Sequence, residues 1–79
     1  MKAKVYITLK PGVLDPQGKA VQGALKSIGF AQVQDVRVGK YIELQLNGSD
    51  RAAADPQVKQ MCEKLLANTV IESYRYEIE

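Results

Sequence analysis

Val33-Gln34-Asp35-Val36-Arg37-Val38-Gly39-Lys40-Tyr41-Ile42-Glu43-Leu44-Gln45-Leu46 is the stretch whose reading decides the fold. Val36 and Val38 alternate with polar neighbours, as do Ile42, Leu44 and Leu46. A period of two marks strands with one buried face. Gly39-Lys40 between the two runs suggests a turn, so the stretch predicts a hairpin. Parity constrains that turn, because residues directly opposite one another share a face. A two-residue loop would set Val38 against Tyr41 and mix the faces. A three-residue loop, Gly39-Lys40-Tyr41, sets Val38 against Ile42 and Val36 against Leu44. The hairpin therefore needs an odd loop or a bulge near Gly39.

Upstream, Val5, Ile7 and Leu9 alternate with Lys4, Tyr6, Thr8 and Lys10 as a first strand, which Pro11-Gly12 ends. Asp15-Pro16 reads as a helix N-cap and first turn, the carboxylate accepting from free backbone N–H groups and proline having none to leave unpaired. Ala20, Val21, Ala24, Leu25 and Ile28 form a helical stripe, with Gly29 placed as a left-handed stop and Phe30 folding back behind it. Downstream, Asn47-Gly48-Ser49-Asp50 is turn composition. Val58, Met61, Cys62, Leu65 and Leu66 then make the strongest helical stripe in the chain, predicting five core positions. Asp55-Pro56 repeats the cap signal, so this helix starts there or after an earlier turn over 51–54. Asn68 can end it, and Tyr74, Tyr76 and Ile78 alternate as a last strand.

The order is strand, helix, strand, strand, helix, strand. It predicts an α+β, ferredoxin-like βαββαβ two-layer sandwich: one domain over residues 1–79, a four-stranded antiparallel sheet and two helices on one face. An internal echo accompanies it, Asp15-Pro16-Gln17 recurring as Asp55-Pro56-Gln57 and Tyr6-Ile7 as Tyr41-Ile42.

Composition narrows function. The chain has 79 residues, 11 basic and 9 acidic, no His, no Trp and one Cys. A zinc site of ordinary ligands cannot be assembled, nor a Ser-His or Cys-His nucleophilic pair. One cysteine forms no internal disulfide, and a lone thiol fits a reducing, cytoplasmic setting. The start has no apolar core of a secretory signal, and no apolar run approaches the roughly 20 residues of a membrane span. A net charge of +2 is too small to argue for nucleic acid. Residues 1–40 carry +5 and residues 41–79 carry −3, an asymmetry that folding can blur. A domain this small is marginal without a staple or a partner, which makes self-association or a larger complex the first expectation.

The candidate residues follow from the faces. Cys62 and Met61 lie in the apolar stripe and read as core. Tyr6, Thr8, Tyr41 and Glu43 fall on the sheet face opposite the helices, where tyrosines suit a protein interface. Stacking on RNA is the competing use, but the Gly-Phe-Gly/Ala-Phe element of such sheets is absent and Glu43 would repel phosphate. Arg37 and Lys40 place cations near the hairpin tip, on the outer face or in the loop, for an acidic partner or simply for solvent. Gly39-Lys40 is no phosphate loop, since it joins strands and lacks the glycine-rich run opening a helix. The interface residues expected are thus Tyr6, Thr8, Arg37, Lys40, Tyr41 and Glu43, with no catalytic, cofactor or metal residue.

Residues 4–20, from Lys4-Val5-Tyr6-Ile7-Thr8-Leu9-Lys10 through Pro11-Gly12-Val13-Leu14-Asp15-Pro16-Gln17-Gly18, closely resemble the opening of the PurS family. These are the small subunits of phosphoribosylformylglycinamidine synthase. Asp35 to Leu44 resembles the family's central hairpin, and Met61 to Asn68 with Val70-Ile71-Glu72 its second helix and exit. The resemblance implies a non-catalytic homodimer or higher oligomer bridging a glutaminase subunit (PurQ) and a synthetase subunit (PurL). It implies support of ammonia transfer, with ATP and Mg used by the synthetase and no nucleic acid or membrane as partner. One departure is Arg51-Ala52-Ala53-Ala54, where the family has acidic residues opening the second helix. The alternative reading is an ACT-like regulatory domain binding a small molecule, which shares the element order.

Overall fold

A computed structural model describes all 79 residues, Met1–Glu79. Three strands, β1 (Lys2–Leu9), β2 (Gly39–Gln45) and β3 (Glu72–Ile78), form one antiparallel sheet in the order β2-β1-β3. Helix α1 (Pro16–Ser27) follows β1. Helix α2 (Arg51–Met61) follows β2 and runs into a π turn over Cys62–Leu66. The core is small. Ala3, Val5, Ile7 and Ile78 from one sheet face meet Ala54, Val58, Cys62 and Ala67 from α2 and its extension. Alternate residues of β1 supply the buried face, as a period of two requires.

Local chemistry builds several expected features. The Asp15 carboxylate accepts from the Gly18 N–H at 2.9 Å, capping α1. Gly29 takes the left-handed conformation at φ +105° and ends the helix. Phe30 N–H closes back on the Leu25 carbonyl and Gly29 N–H on that of Lys26, the two bonds of a Schellman end.

The expected hairpin is not formed, and the four-stranded sheet is corrected to three strands. Gly39, Lys40 and Tyr41 are drawn into β2 opposite Thr8, Ile7 and Tyr6 of β1. No residue is left for a turn, and Gly39 has none of the positive φ that a bulged loop needs. Residues 33–38 therefore run straight into β2 and belong to no strand.

The expected packing of both helices on one sheet face is corrected as well. Only α2 contributes side chains to the core. Helix α1 instead lies beside residues 33–38. Asp15 also accepts from the Val38 N–H at 2.9 Å, and the Gln22 side chain donates to the Gln34 carbonyl at 2.9 Å. Together they make an arm that leaves the sheet. The molecule measures 48 × 24 × 14 Å with a radius of gyration of 16.0 Å. A compact chain of this length would have about 12 Å.

Two further corrections concern α2. It begins at Arg51, five residues before Pro56, because Asp50 accepts from the N–H groups of Ala52 and Ala53 and supplies the cap. Pro56 sits inside the helix. The five-position stripe is only partly core. Val58 and Cys62 are buried, but Met61 is exposed and Leu65 is 83 % exposed. The π turn accounts for Leu65, since Ala67 N–H bonds back to the Cys62 carbonyl and the wider turn rotates Leu65 outward.

Candidate interface on the open sheet face

The sheet face away from α2 carries Lys2, Lys4, Tyr6 and Thr8 from β1. Register sets Tyr41 and Glu43 of β2 on one side of them and Ser73, Arg75 and Glu77 of β3 on the other. Nothing in the chain covers this face. Tyr6 lies at its centre, paired across to Tyr41 with ring centroids 5.2 Å apart and tilted by 40°. The Arg75 guanidinium sits 3.9 Å from the Tyr6 ring centroid on the other flank, a cation–π contact. The Tyr41 hydroxyl donates to Glu43 at 2.9 Å, and Lys2 reaches Glu43 at 3.5 Å. These contacts hold the Glu43 carboxyl below its usual range, first through the Tyr41 hydrogen bond and then through the Lys2 charge. The result is an open surface with an aromatic centre and a rim of paired charges, which matches the anatomy of a protein interface.

Tyr6, Thr8, Tyr41 and Glu43 thus share the open face, as strand parity predicts. Arg75 belongs with them and was missed. Its parity in the last strand, opposite to Tyr74 and Tyr76, was the available signal. Arg37 and Lys40 lie elsewhere. The Arg37 guanidinium donates to the Leu9 and Lys10 carbonyls and approaches the Asp15 carboxylate at 3.9 Å, so it clamps the arm to the end of β1. Lys40 projects on the α2 side of the sheet and pairs with Glu72 at 3.5 Å. Both expected tip cations are exposed residues that also pair within the chain.

Asp15 is the electrostatic centre of the arm. The Val38 and Gly18 N–H groups hold its carboxyl below the ordinary carboxylate range, with Arg37 adding to the effect. A depressed folded pKa contributes stability above the unfolded value, and that contribution disappears as pH falls through the folded one. Amide exchange at Val38 and Gly18 should therefore accelerate below about pH 4 ahead of exchange in β1. The Asp15→Asn variant should show the loosened arm at neutral pH. Arm and sheet exchange that stay in step down to the acid transition would contradict this.

The one thiol and the two β3 tyrosines are held away from ionisation. Burial pushes the Cys62 thiol up, away from thiolate. The Tyr74 hydroxyl donates to Glu63 at 2.7 Å, which pushes its pKa up to about 12. Tyr76 likewise donates to Asp55 at 3.2 Å, so both rings tie β3 to the α2 layer. No group of three or more Cys, Asp or Glu side chains is arranged to hold a metal ion. No helix is long and apolar enough to cross a membrane.

Residues 2–79 match the family model for PurS, phosphoribosylformylglycinamidine (FGAM) synthase. The chain belongs to the PurS family. It is 65 % identical over 78 residues to the Bacillus subtilis phosphoribosylformylglycinamidine synthase subunit PurS, covering 99 % of this chain and 92 % of that one. The PurS subunit of Methanocaldococcus jannaschii is 42 % identical, over 99 % of this chain and 94 % of its own. Among solved structures, B. subtilis PurS superposes with a TM-score of 0.86 at 65 % identity, covering 99 % and 96 % of the two chains. A chain of PurLQS from Thermotoga maritima superposes with a TM-score of 0.87 at 30 % identity, covering 96 % and 93 %. PurS members from bacteria and an archaeon thus share this shape along nearly the whole chain. That leaves the ACT-like reading, which rested on element order alone, without support.

Proposed function

We propose that this chain is the PurS subunit of an FGAM synthase, a glutamine-dependent ligase of purine biosynthesis. It bridges a PurL-type synthetase and a PurQ-type glutaminase and contributes no catalytic group itself. The full-length family match carries the reading, and the naming of a matching neighbour as part of PurLQS gives the partners. The fold supports it physically. The tyrosine-centred face is open, and the Cys62 thiol and the Tyr74 and Tyr76 hydroxyls are held away from ionisation. Ammonia transfer between two active sites needs them held in fixed relation, a task for surfaces rather than for nucleophiles. ATP and Mg belong to the synthetase partner in this reading, and the chain acts as a homodimer or higher oligomer.

The test is reconstitution. Adding this chain to the B. subtilis PurL and PurQ subunits should restore glutamine-dependent amidine formation from the formylglycinamide ribonucleotide. Activity with free ammonia should depend on it far less. Absence of rescue, with all three proteins folded, would sink the proposal.

A further inference from the structure

A chain that bridges two subunits needs two surfaces that do not overlap. The tyrosine-centred sheet face is one. A second lies at the end of the sheet where β1 stops and β3 starts, and two turns build it.

The first turn spans Lys10 to Val13. Pro11 and Gly12 are its middle residues, Gly12 takes φ +88°, and Val13 N–H donates to the Lys10 carbonyl at 3.1 Å. That is the pattern of a type II turn. The second spans Asn68 to Glu72. The Asn68 carbonyl accepts from Ile71 N–H at 3.0 Å and from Glu72 N–H at 2.7 Å, and the Asn68 side-chain oxygen accepts from Val70 N–H at 3.2 Å. The Glu72 carboxylate accepts in return from Asn68 N–H at 2.7 Å. Lys10 N–H donates to the Ile71 carbonyl at 2.8 Å and ties one turn to the other.

These fastened turns hold out apolar side chains. Leu14, between the first turn and the Asp15 cap, is 73 % exposed, Val70 80 % and Ile71 40 %. None of them belongs to the core. Turns ordinarily carry Gly, Pro, Asn, Asp or Ser, and an aliphatic side chain exposed singly needs no explanation. Three of them at one end make a patch, and bonded backbone lowers the ordering cost of binding there.

The charges around the patch are lopsided. Glu72 is engaged by Asn68 and Lys40, Glu63 by the Tyr74 hydroxyl, Asp15 by Gly18 and Val38, and Asp35 by the Val36 N–H. Lys10 and Lys19 form no ion pair. A shallow pocket of about 280 Å³ sets Lys19 beside Leu14, and another of about 310 Å³ sets Lys10 beside Thr69. The free charges that a partner meets here are therefore positive. A second copy of the chain is the wrong occupant, since a twofold contact at this end would set these lysines against their own kind.

We infer that the turn-built end docks one larger subunit of the FGAM synthase, on a surface that is apolar at its centre and rimmed by carboxylates, while the tyrosine face docks the other. This rests on the proposed bridging function and divides it between two ends of the molecule. An apolar centre with a charged rim is how such contacts are built, and a few central side chains carry most of their energy.

The test titrates the chain with B. subtilis PurL and PurQ, each with the other absent and present. Leu14→Ser combined with Val70→Ser should leave the urea midpoint in place, because both side chains are exposed. Affinity for one subunit should fall at least tenfold and affinity for the other should hold. Glutamine-dependent activity should then return only at a correspondingly higher chain concentration. Lys10→Glu with Lys19→Glu should weaken the same contact, and added salt should weaken it in the wild type. Tyr6→Ala should weaken the other one. Full affinity of the Leu14 and Val70 double variant for both subunits overturns the inference, as does equal loss of both. If that variant does not fold, unchanged affinity in the lysine double variant overturns it. A wild-type chain that binds neither subunit sinks the proposed function and the inference together, whereas wild-type rescue that every variant retains in full removes the inference alone.

Discussion

Replacing Val58 by aspartate is expected to leave no folded protein at 25 °C. Val58 is fully buried at the centre of an eight-residue core, against strand residues that include Val5 and Ile7. No lysine or arginine belongs to that cluster, so the new carboxylate would find no cation. An unpaired buried charge costs several kcal/mol even after relaxation, and the lost valine adds about 1.5–3 kcal/mol of burial. A chain of this length has about 4–12 kcal/mol in total, and here much of the apolar surface of α1 contributes nothing within one copy. The sum is therefore comparable with the whole stability. Far-UV circular dichroism and amide dispersion should both report an unfolded chain. Val58→Ala, which leaves a cavity and no charge, should cost about 2 kcal/mol and remain folded with a lower urea midpoint. A Val58→Asp protein with the wild-type midpoint would mean that this cluster is not the core.

The same core shows how far local pattern carries. Strand alternation in Val5, Ile7, Tyr74, Tyr76 and Ile78 fixed which face is buried, and through register it placed Tyr6, Thr8, Tyr41 and Glu43 on the open one. Helix ends were legible wherever the cap is a short-range device, as at Asp15 and Gly29. Asp50 was not read as a cap because Asp55-Pro56 offers the stronger local signal, and a proline inside an exposed helix is a cost that tertiary packing overrides. The π turn at Cys62–Leu66 left no mark in the stripe, since one extra backbone residue changes which side chains point inward without changing their spacing. The hairpin failed for a different reason. Parity can say which residues would face one another in a hairpin, but it does not register that Gly39, Lys40 and Tyr41 pair with β1 and leave no turn. Without the turn Arg37 and Lys40 sit at no hairpin tip: both stay exposed, but the extended chain brings one to the Leu9 and Lys10 carbonyls and the other to Glu72.

Two glycine-to-alanine substitutions in the same helix should have opposite signs. At an ordinary helical position alanine is the better residue by roughly 0.5–1 kcal/mol. Gly23 is such a position, with nothing within 4 Å of an added Cβ, and Gly23→Ala should raise the melting temperature by a few degrees. Gly18 is different. A Cβ there would lie 2.2 Å from the Val36 carbonyl oxygen and 2.8 Å from the Asp15 carboxylate. The first is backbone of the arm segment and the second is the cap that also holds Val38, so neither can move alone. Gly18→Ala should therefore separate α1 from residues 33–38 despite its gain in helix propensity, at about 1–3 kcal/mol. A 12-residue helix without its cap and packing is marginal in water, so part of the helical signal should be lost with it. The sheet core should survive, because no α1 residue belongs to it. If the arm helps place the chain between its partner subunits, rescue of glutamine-dependent activity should fall with it. Equal stabilisation by both substitutions would show that the contact between Gly18 and Val36 does not organise the arm.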